Sequence, residues 1–254
     1  MIEIRDLHFR YGEGDEILRG VDLDIGPGVL GLLGPNGAGK STLVKCLCGV
    51  HMPCRGTATY NGCSILGRRD TGRVRLSYLA QETPFISDLT VLEVMLLGRV
   101  DTLGLRVTDE DLDKAYHALE MFGIESYSER TFCEMSGGQQ QMVMTAQCLV
   151  SDPEVIILDE PTNNLDLRKE LEMFDMMTGI TRERGITTMM VLHDVNFASR
   201  YCDRLAVMRM GELYAYDTPE NVISEQMIRD VYGVEASVSI GGDGRPRIDP
   251  LRAV

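Results

Sequence analysis

Gly34-Pro35-Asn36-Gly37-Ala38-Gly39-Lys40-Ser41-Thr42 fits the P-loop pattern G-x-x-x-x-G-K-[S/T], and its neighbours give it the right setting. The apolar run Val29-Leu30-Gly31-Leu32-Leu33 reads as a buried strand feeding the loop, and Ser41 to Gly49 reads as a helix leaving it. Glycines at 34, 37 and 39 let the backbone turn sharply and aim its N–H groups inward, where no Cβ obstructs a phosphate. The emerging helix adds the partial positive charge of its N-terminus. In this pattern Lys40 reaches the β- and γ-phosphates, and the Ser41 hydroxyl is placed to ligate Mg²⁺. A glycine-rich turn can match the pattern by chance. A strand before it and a helix after it make the stretch a phosphate cradle.

Outward from the loop, the chain reads as an α/β protein of 254 residues. Residues 2–11 alternate as a strand, Ile17 to Ile25 suggest a second, and Pro27-Gly28 turn into the P-loop strand. Gly56 to Tyr60 form a short strand ending at an Asn61-Gly62 hairpin turn, and Val74 to Ala80 form another strand before Gln81. Thr90 to Leu97, Asp109 to Phe122 and Ser136 to Val150 carry helical periodicity, each opening on a cap or an acidic first turn. The stretch from about 83 to 150 therefore reads as a helical insertion. Val155-Ile156-Ile157-Leu158 restores the continuous apolar run of a central parallel strand. Strand character recurs at Thr187 to Leu192, Leu205 to Met208 and Leu213 to Tyr216, then two short helices reach Gly233. The last dozen residues, with Gly241-Gly242 and two prolines, read as a loose tail.

Composition narrows the partners. Hydrophobic residues make up 44% and charged residues 25%, ordinary for a protein with a sizeable core. The net charge of −14 argues against nucleic acid, and neither a basic stripe nor a lipid-facing basic cluster is visible. The longest apolar runs are strand-sized and Met1-Ile2-Glu3-Ile4 begins directly in a strand pattern, so membrane association is expected only through another protein. The seven cysteines match no zinc spacing and read as free thiols in a reducing cytosol.

Further stations are individually ambiguous. Asp159-Glu160 closes the strand 155–158, where a carboxylate facing a P-loop belongs as a Mg²⁺ ligand, and Glu160 could polarise a water; without a P-loop it would read equally as an acidic turn before Pro161. Ser136-Gly137-Gly138-Gln139 opens a helix with exposed N–H groups, although Ser-Gly-Gly also describes a linker. A second anion-ready helix start suggests a site that meets the same nucleotide from another copy of the chain. His193 at a strand end is by itself more often structural than catalytic. Gln81 is close to uninformative alone, and Tyr11, able to stack on an adenine ring, is by itself usually packing.

Taken in order, these pieces resemble the ATP-binding cassette family over roughly residues 1–235. Tyr11 matches the aromatic A-loop, Gly34 to Thr42 Walker A, and Gln81 the Q-loop. Ser136 to Gln139 match the signature motif, Val155 to Asp159 Walker B, and Glu160 the glutamate after it. Asn163-Asn164-Leu165-Asp166 resembles the D-loop and His193 the H-loop. The resemblance implies a P-loop NTPase fold: an N-terminal antiparallel β subdomain, a RecA-like core at 1–82 and 151–235, an inserted helical subdomain at 83–150, and a tail at 236–254. It implies ATP and Mg²⁺, the latter held by Ser41, Gln81 and Asp159. It implies a head-to-tail homodimer in which each ATP lies between Walker A of one copy and the signature of the other. Glu160 would then act as base or water orienter, His193 would hold the γ-phosphate and that water, and Asp166 would link the two sites.

Within the family, the chain most resembles ATPase subunits of importers for iron complexes, haem and cobalamin. The cues are Leu89-Thr90-Val91 leading to Leu97-Gly98-Arg99, and Thr218-Pro219 running to Val231-Tyr232-Gly233-Val234. The expected setting is the cytoplasmic face of the membrane, docked through about 83–100 on two permease subunits, with an extracellular binding protein as an indirect partner. The alternatives are a zinc, manganese or tungstate importer, an exporter, or a soluble non-transport cassette. Four positions depart from the family pattern: Met135 replaces a leucine, Met142 and Gln147 replace arginines, and Asn164 stands where this group often has histidine.

Overall fold

The computed structural model describes residues 1–67, 74–81, 88–100 and 106–254. Two sheets organise it. The first has strand order β2-β1-β4-β5, from β1 (Ile2–Arg10), β2 (Glu16–Ile25), β4 (Arg55–Tyr60) and β5 (Cys63–Ser64), all antiparallel. The β4–β5 turn is Asn61-Gly62 with φ of 50° and 80°, the two successive positive values that a tight hairpin demands. This is the expected N-terminal antiparallel subdomain.

The second sheet has order β10-β9-β3-β8-β7-β6. It is built from β3 (Gly28–Leu33), β6 (Leu76–Leu79), β7 (Val155–Asp159), β8 (Thr187–Val191), β9 (Arg204–Arg209) and β10 (Glu212–Asp217). All its neighbours pair in parallel except β9 with β10. The middle strands β7 and β8 are buried along their whole length, which is why their sequences are continuously apolar and do not alternate with polar residues. The alternation is instead between two cores. Val29, Leu33, Ile156, Leu158, Met190, Leu205 and Val207 pack on the face shared with the helices. Leu30, Leu32, Val155, Ile157, Met189, Val191, Ala206 and Met208 pack towards α1 (Lys40–Leu47) and the antiparallel sheet.

The insertion contributes α2 (Val91–Leu97), α3 (Asp109–Met121) and α4 (Gly137–Gln147). Each starts with a reciprocal capping box: Thr90 with Glu93, Thr108 with Asp111, Ser136 with Gln139. The unfamiliar residues of α4 are accommodated by packing. Met142 is buried in the core, and the Gln147 side-chain amide donates to the Val94 carbonyl on α2. Arg99 and Asp111 form a nearly buried ion pair at 2.7 Å, closing the insertion on itself. The docking stretch 83–100 falls partly on 83–87, outside the described residues.

Downstream lie α5 (Leu167–Arg184), α6 (Val195–Tyr201), α7 (Pro219–Val222) and α8 (Glu225–Tyr232). The expectation that the last dozen residues, within the tail at 236–254, are loose is corrected. β11 (Val234–Ile240) and β12 (Pro246–Ala253) form an antiparallel hairpin. Ala236 and Ile248 are buried in the helix-side core, and the Asn196 amide on α6 both donates to and accepts from the Ile248 backbone. The prolines that suggested looseness sit in a two-stranded ribbon, where each strand has a free edge and a missing N–H costs little.

Among the described residues, no helix is long and apolar enough to cross a membrane. All seven cysteines are free, and burial pushes the thiols of Cys46 and Cys148 up to about 12, so they behave as small apolar groups.

Candidate nucleotide site

The loop between β3 and α1 is shaped by backbone geometry that only glycine supplies at two points. Gly34 has φ 143°, and a Cβ there would lie 2.3 Å from the Met208 carbonyl oxygen. Gly39, at φ 98°, is the N-cap of α1 and offers no side-chain cap, so the first N–H groups of the helix are left for another acceptor. Lys40 is 6% exposed, and its ammonium donates to the carbonyls of Gly34 at 2.6 Å and Pro35 at 3.1 Å. Burial lowers its pKa, opposed by the charges of Glu160 and Asp159.

Those two carboxylates end β7 beside β8, and their environments push them apart. Asp159 is 1% exposed; burial first, then the neighbouring Glu160 charge, raises its pKa, with the Ser41 hydroxyl and the lysines opposing. Its Oδ1 is buried without a hydrogen-bond partner. Such an oxygen is costly unless something cationic or protic meets it. Glu160 feels burial too, but donors outweigh it: Asn163 Nδ2 at 2.7 Å, His193 Nε2 at 2.5 Å and Gln81 Nε2 at 2.9 Å hold its pKa below the ordinary glutamate value. Glu160 also has φ 53°, an uncommon conformation for a side chain of this size and a cost of about 1–3 kcal/mol that the surrounding turn must offset. Two adjacent carboxylates, one driven towards its neutral form and one kept charged, are suited to different tasks.

The structure therefore brings Gln81, Glu160 and His193 into direct contact from three separate strand ends, with Lys40, Ser41 and Asp159 in the same electrostatic neighbourhood. An open cleft of about 250 Å³ runs beside Glu160, Asn163 and His193. Other candidates stand apart from this cluster. Tyr11 is half exposed, hydrogen-bonded to His51 at 2.9 Å and packed edge-on against Phe9. Asp166 caps α5 by accepting from the Lys169 N–H at 3.0 Å. Ser136 to Gln139 open α4, and among the described residues no hydrogen bond or ion pair joins them to Gly34–Thr42. They pack instead on the turn after β7. A Cβ on Gly138 would lie 3.1 Å from the Asn164 carbonyl, and Gln141 donates to the Pro161 carbonyl at 2.8 Å. Asn164 sits at φ 67°, a conformation asparagine tolerates better than most residues.

Asn163 was read only as part of the D-loop stretch 163–166; that its amide donates to Glu160, three residues back in the tight turn, is shown by the structure. Tyr232, whose hydroxyl accepts from the Gly34 N–H at 3.1 Å, entered the sequence reading only as part of the Val231–Val234 subfamily cue, with nothing local to tie it to the phosphate loop.

Comparison with known proteins agrees with this geometry. The family model described as ABC transporter matches residues 18–163. The phosphonates import ATP-binding protein PhnC of Alcaligenes faecalis is 36% identical, over 94% of this chain and 91% of that protein. The hemin import ATP-binding protein HmuV of Bordetella avium is also 36% identical, over 93% and 94% respectively. Among solved structures, the dimeric ABC transporter cassette MJ0796 superposes with a TM-score of 0.76 at 26% identity, covering 86% of this chain and 98% of that one. A phosphate loop backed by a charged glutamate and a buried aspartate is the mark of a nucleotide-hydrolysing P-loop protein. The chain belongs to the ABC transporter ATP-binding family, and it is an ABC ATPase.

Proposed function

We propose that this chain is the ATP-hydrolysing subunit of an ABC importer, acting as a head-to-tail dimer on two membrane permease subunits at the cytoplasmic face. The observation that carries the catalytic part is the convergence of Gln81, Asn163 and His193 on Glu160. A carboxylate kept charged by three donors can accept the proton of a water as its oxygen attacks the γ-phosphorus and the bond to the leaving ADP oxygen breaks. Lys40 turns from the Gly34 and Pro35 carbonyls to the β- and γ-phosphates, whose charge is a stronger partner. The residues 34–42 supply backbone N–H groups, and Tyr11 stacks on the base.

Ser41, Asp159 and Gln81 are the residues that would hold Mg²⁺, and the partnerless buried oxygen of Asp159 suits that ion. When bound, Mg²⁺ neutralises phosphate charge; a single carboxylate with neutral oxygens fits an ion that keeps waters and phosphates as its other ligands. Ser136 to Gln139 would reach the nucleotide of the partner copy, with Asp166 linking the two sites. The core is read as 1–82 and 151–235, with the helical subdomain at 83–150 carrying the permease-docking surface.

For cargo we favour an iron complex, haem or cobalamin, supported by the 36% identity to the hemin import subunit. The equal identity to a phosphonate import subunit favours a second reading, the same ATPase serving an organophosphonate importer. Uptake assays in vesicles holding the chain with the permease that co-purifies with it, fed haem or a phosphonate through the matching binding protein, separate the two.

The catalytic reading is tested by Glu160→Gln. The amide keeps the shape and loses the base, so turnover should fall by on the order of 10²- to 10⁴-fold while ATP binding persists and a dimer accumulates on size-exclusion chromatography in ATP. Normal turnover would remove Glu160 from the mechanism.

A further inference from the structure

Gly34, the first residue of the phosphate loop, is gripped on every side. Its N–H donates to the Tyr232 hydroxyl at 3.1 Å, its carbonyl accepts from Lys40 at 2.6 Å, and its Cα faces the Met208 carbonyl too closely for any side chain. The hydroxyl arrives from far away in sequence: Tyr232 is the last residue of α8, 198 positions on. Burial drives its phenol up to about 12, so it keeps its proton at any pH the protein meets.

The helix that carries Tyr232 is itself tied down. Ser224 caps its start, Tyr214 on β10 donates to Asp230 at 2.9 Å, and Gly233 ends it at φ 65°. The Gly233 carbonyl then accepts from the Val254 N–H at 2.8 Å, so the far end of the C-terminal hairpin closes onto the residue beside Tyr232.

We propose that Tyr232 is a positioning residue for nucleotide binding: its hydroxyl fixes the Gly34 peptide, and with it the carbonyl on which Lys40 rests and the entry angle of the phosphate loop. The Gly34 N–H it holds is committed to the protein itself, as is the Ala38 N–H on the Pro35 carbonyl at 3.2 Å, so the influence of Tyr232 passes through backbone geometry. The C-terminal helix and hairpin thereby become a buttress of the ATP site. This inference rests on the reading of Gly34–Thr42 as the phosphate cradle.

The test pairs Tyr232→Phe with Tyr214→Phe. Both delete one phenolic hydroxyl anchored at α8, but only the first touches the loop. Tyr232→Phe should raise KM for ATP, and the Kd for a fluorescent ATP analogue, about 3- to 10-fold with kcat within twofold, the scale of one lost hydrogen bond. Tyr214→Phe should leave KM and Kd as in the wild type. A merely structural role would lower Tm and leave KM unchanged in Tyr232→Phe, and that result overturns the proposal. Hydrogen exchange gives a reading that needs no variant: in nucleotide-free wild-type protein the Gly34 amide should be protected, and fast exchange there overturns the proposal as well. Lys40→Ala separates the two levels. If it abolishes ATP binding while Tyr232→Phe changes nothing, the buttress fails and the cradle stands; if Lys40→Ala binds ATP normally, both fail.

Discussion

The chain contains two glycine-flanked helix starts that look alike in sequence and differ in their free state. At α1 the N-cap is Gly39, which has no side chain to satisfy the first N–H groups, and the adjacent Lys40 is buried and parked on the loop's own carbonyls. At α4 the N-cap is Ser136. Its hydroxyl accepts from the Gln139 N–H, and the Gln139 side chain accepts from the Ser136 N–H in return. One start is open with its cation in place. The other is closed on itself, exposed at Ser136 and Gly137, and without a cation in its first turn. An uncapped helix start can take a phosphate directly, because its donors are pre-aimed and no side-chain cap competes for them. A self-capped start must exchange its internal bonds for the incoming anion, so it suits a contact made late, when a second subunit closes.

The comparison breaks most readily at the open cradle. Lys40→Ala removes the charged donor while leaving the loop's N–H groups, and ATP affinity should fall by on the order of 10²-fold, with hydrolysis lost, as read by titration and phosphate release. Undiminished binding would overturn Gly34–Thr42 as the phosphate cradle. The closed start is sharpened by mixing. Ser136→Arg subunits should bind ATP alone yet fail to hydrolyse it, because the defect lies in the half-site offered to a partner. Combined with Lys40→Ala subunits they should recover at most one competent site per dimer, and no recovery at any ratio would count against a shared site.

The smallest effect is expected from the capping box that resembles that of α4 but lies away from the nucleotide. Asp111 at the start of α3 is held down to a pKa of about 2, chiefly by the Thr108 hydroxyl and backbone N–H, with Arg99 adding to it. A depressed carboxylate stabilises the fold above its unfolded pKa and loses that contribution as pH falls through the folded one. The stability gap between wild type and Asp111→Asn, measured by urea midpoints, should therefore be full at pH 5 and shrink as pH falls from about 4 towards 2. A gap independent of pH would mean that Asp111 acts by packing, not by charge.

Legibility in the sequence followed the range of the interaction. The P-loop, the continuous apolar run of β7, the Asn61-Gly62 hairpin and the three helix starts of the insertion were all readable, because each rests on contacts within a few residues. The short β6 was read two residues too long at its start and one at its end: Val74 is buried without pairing, and Ala80 is an exposed apolar residue past the last pair. The C-terminal hairpin was misread because glycines and prolines signal turns locally, while its pairing is stabilised by α6, some fifty residues upstream. The arginine-to-methionine and arginine-to-glutamine departures on α4 gained meaning only once Met142 was seen in the core and Gln147 on the Val94 carbonyl.

By itself, then, the sequence determined that there is a phosphate loop between a buried strand and a helix, and which residue types stand ready near it. Backbone turns, caps and apolar periodicity are local physics, written in adjacent residues. Only the tertiary structure decided that Glu160 is held by donors from positions 81, 163 and 193, and that the loop's first amide is held from position 232. The strand order of the parallel sheet sets which strand ends meet, and no spacing along the chain encodes that order.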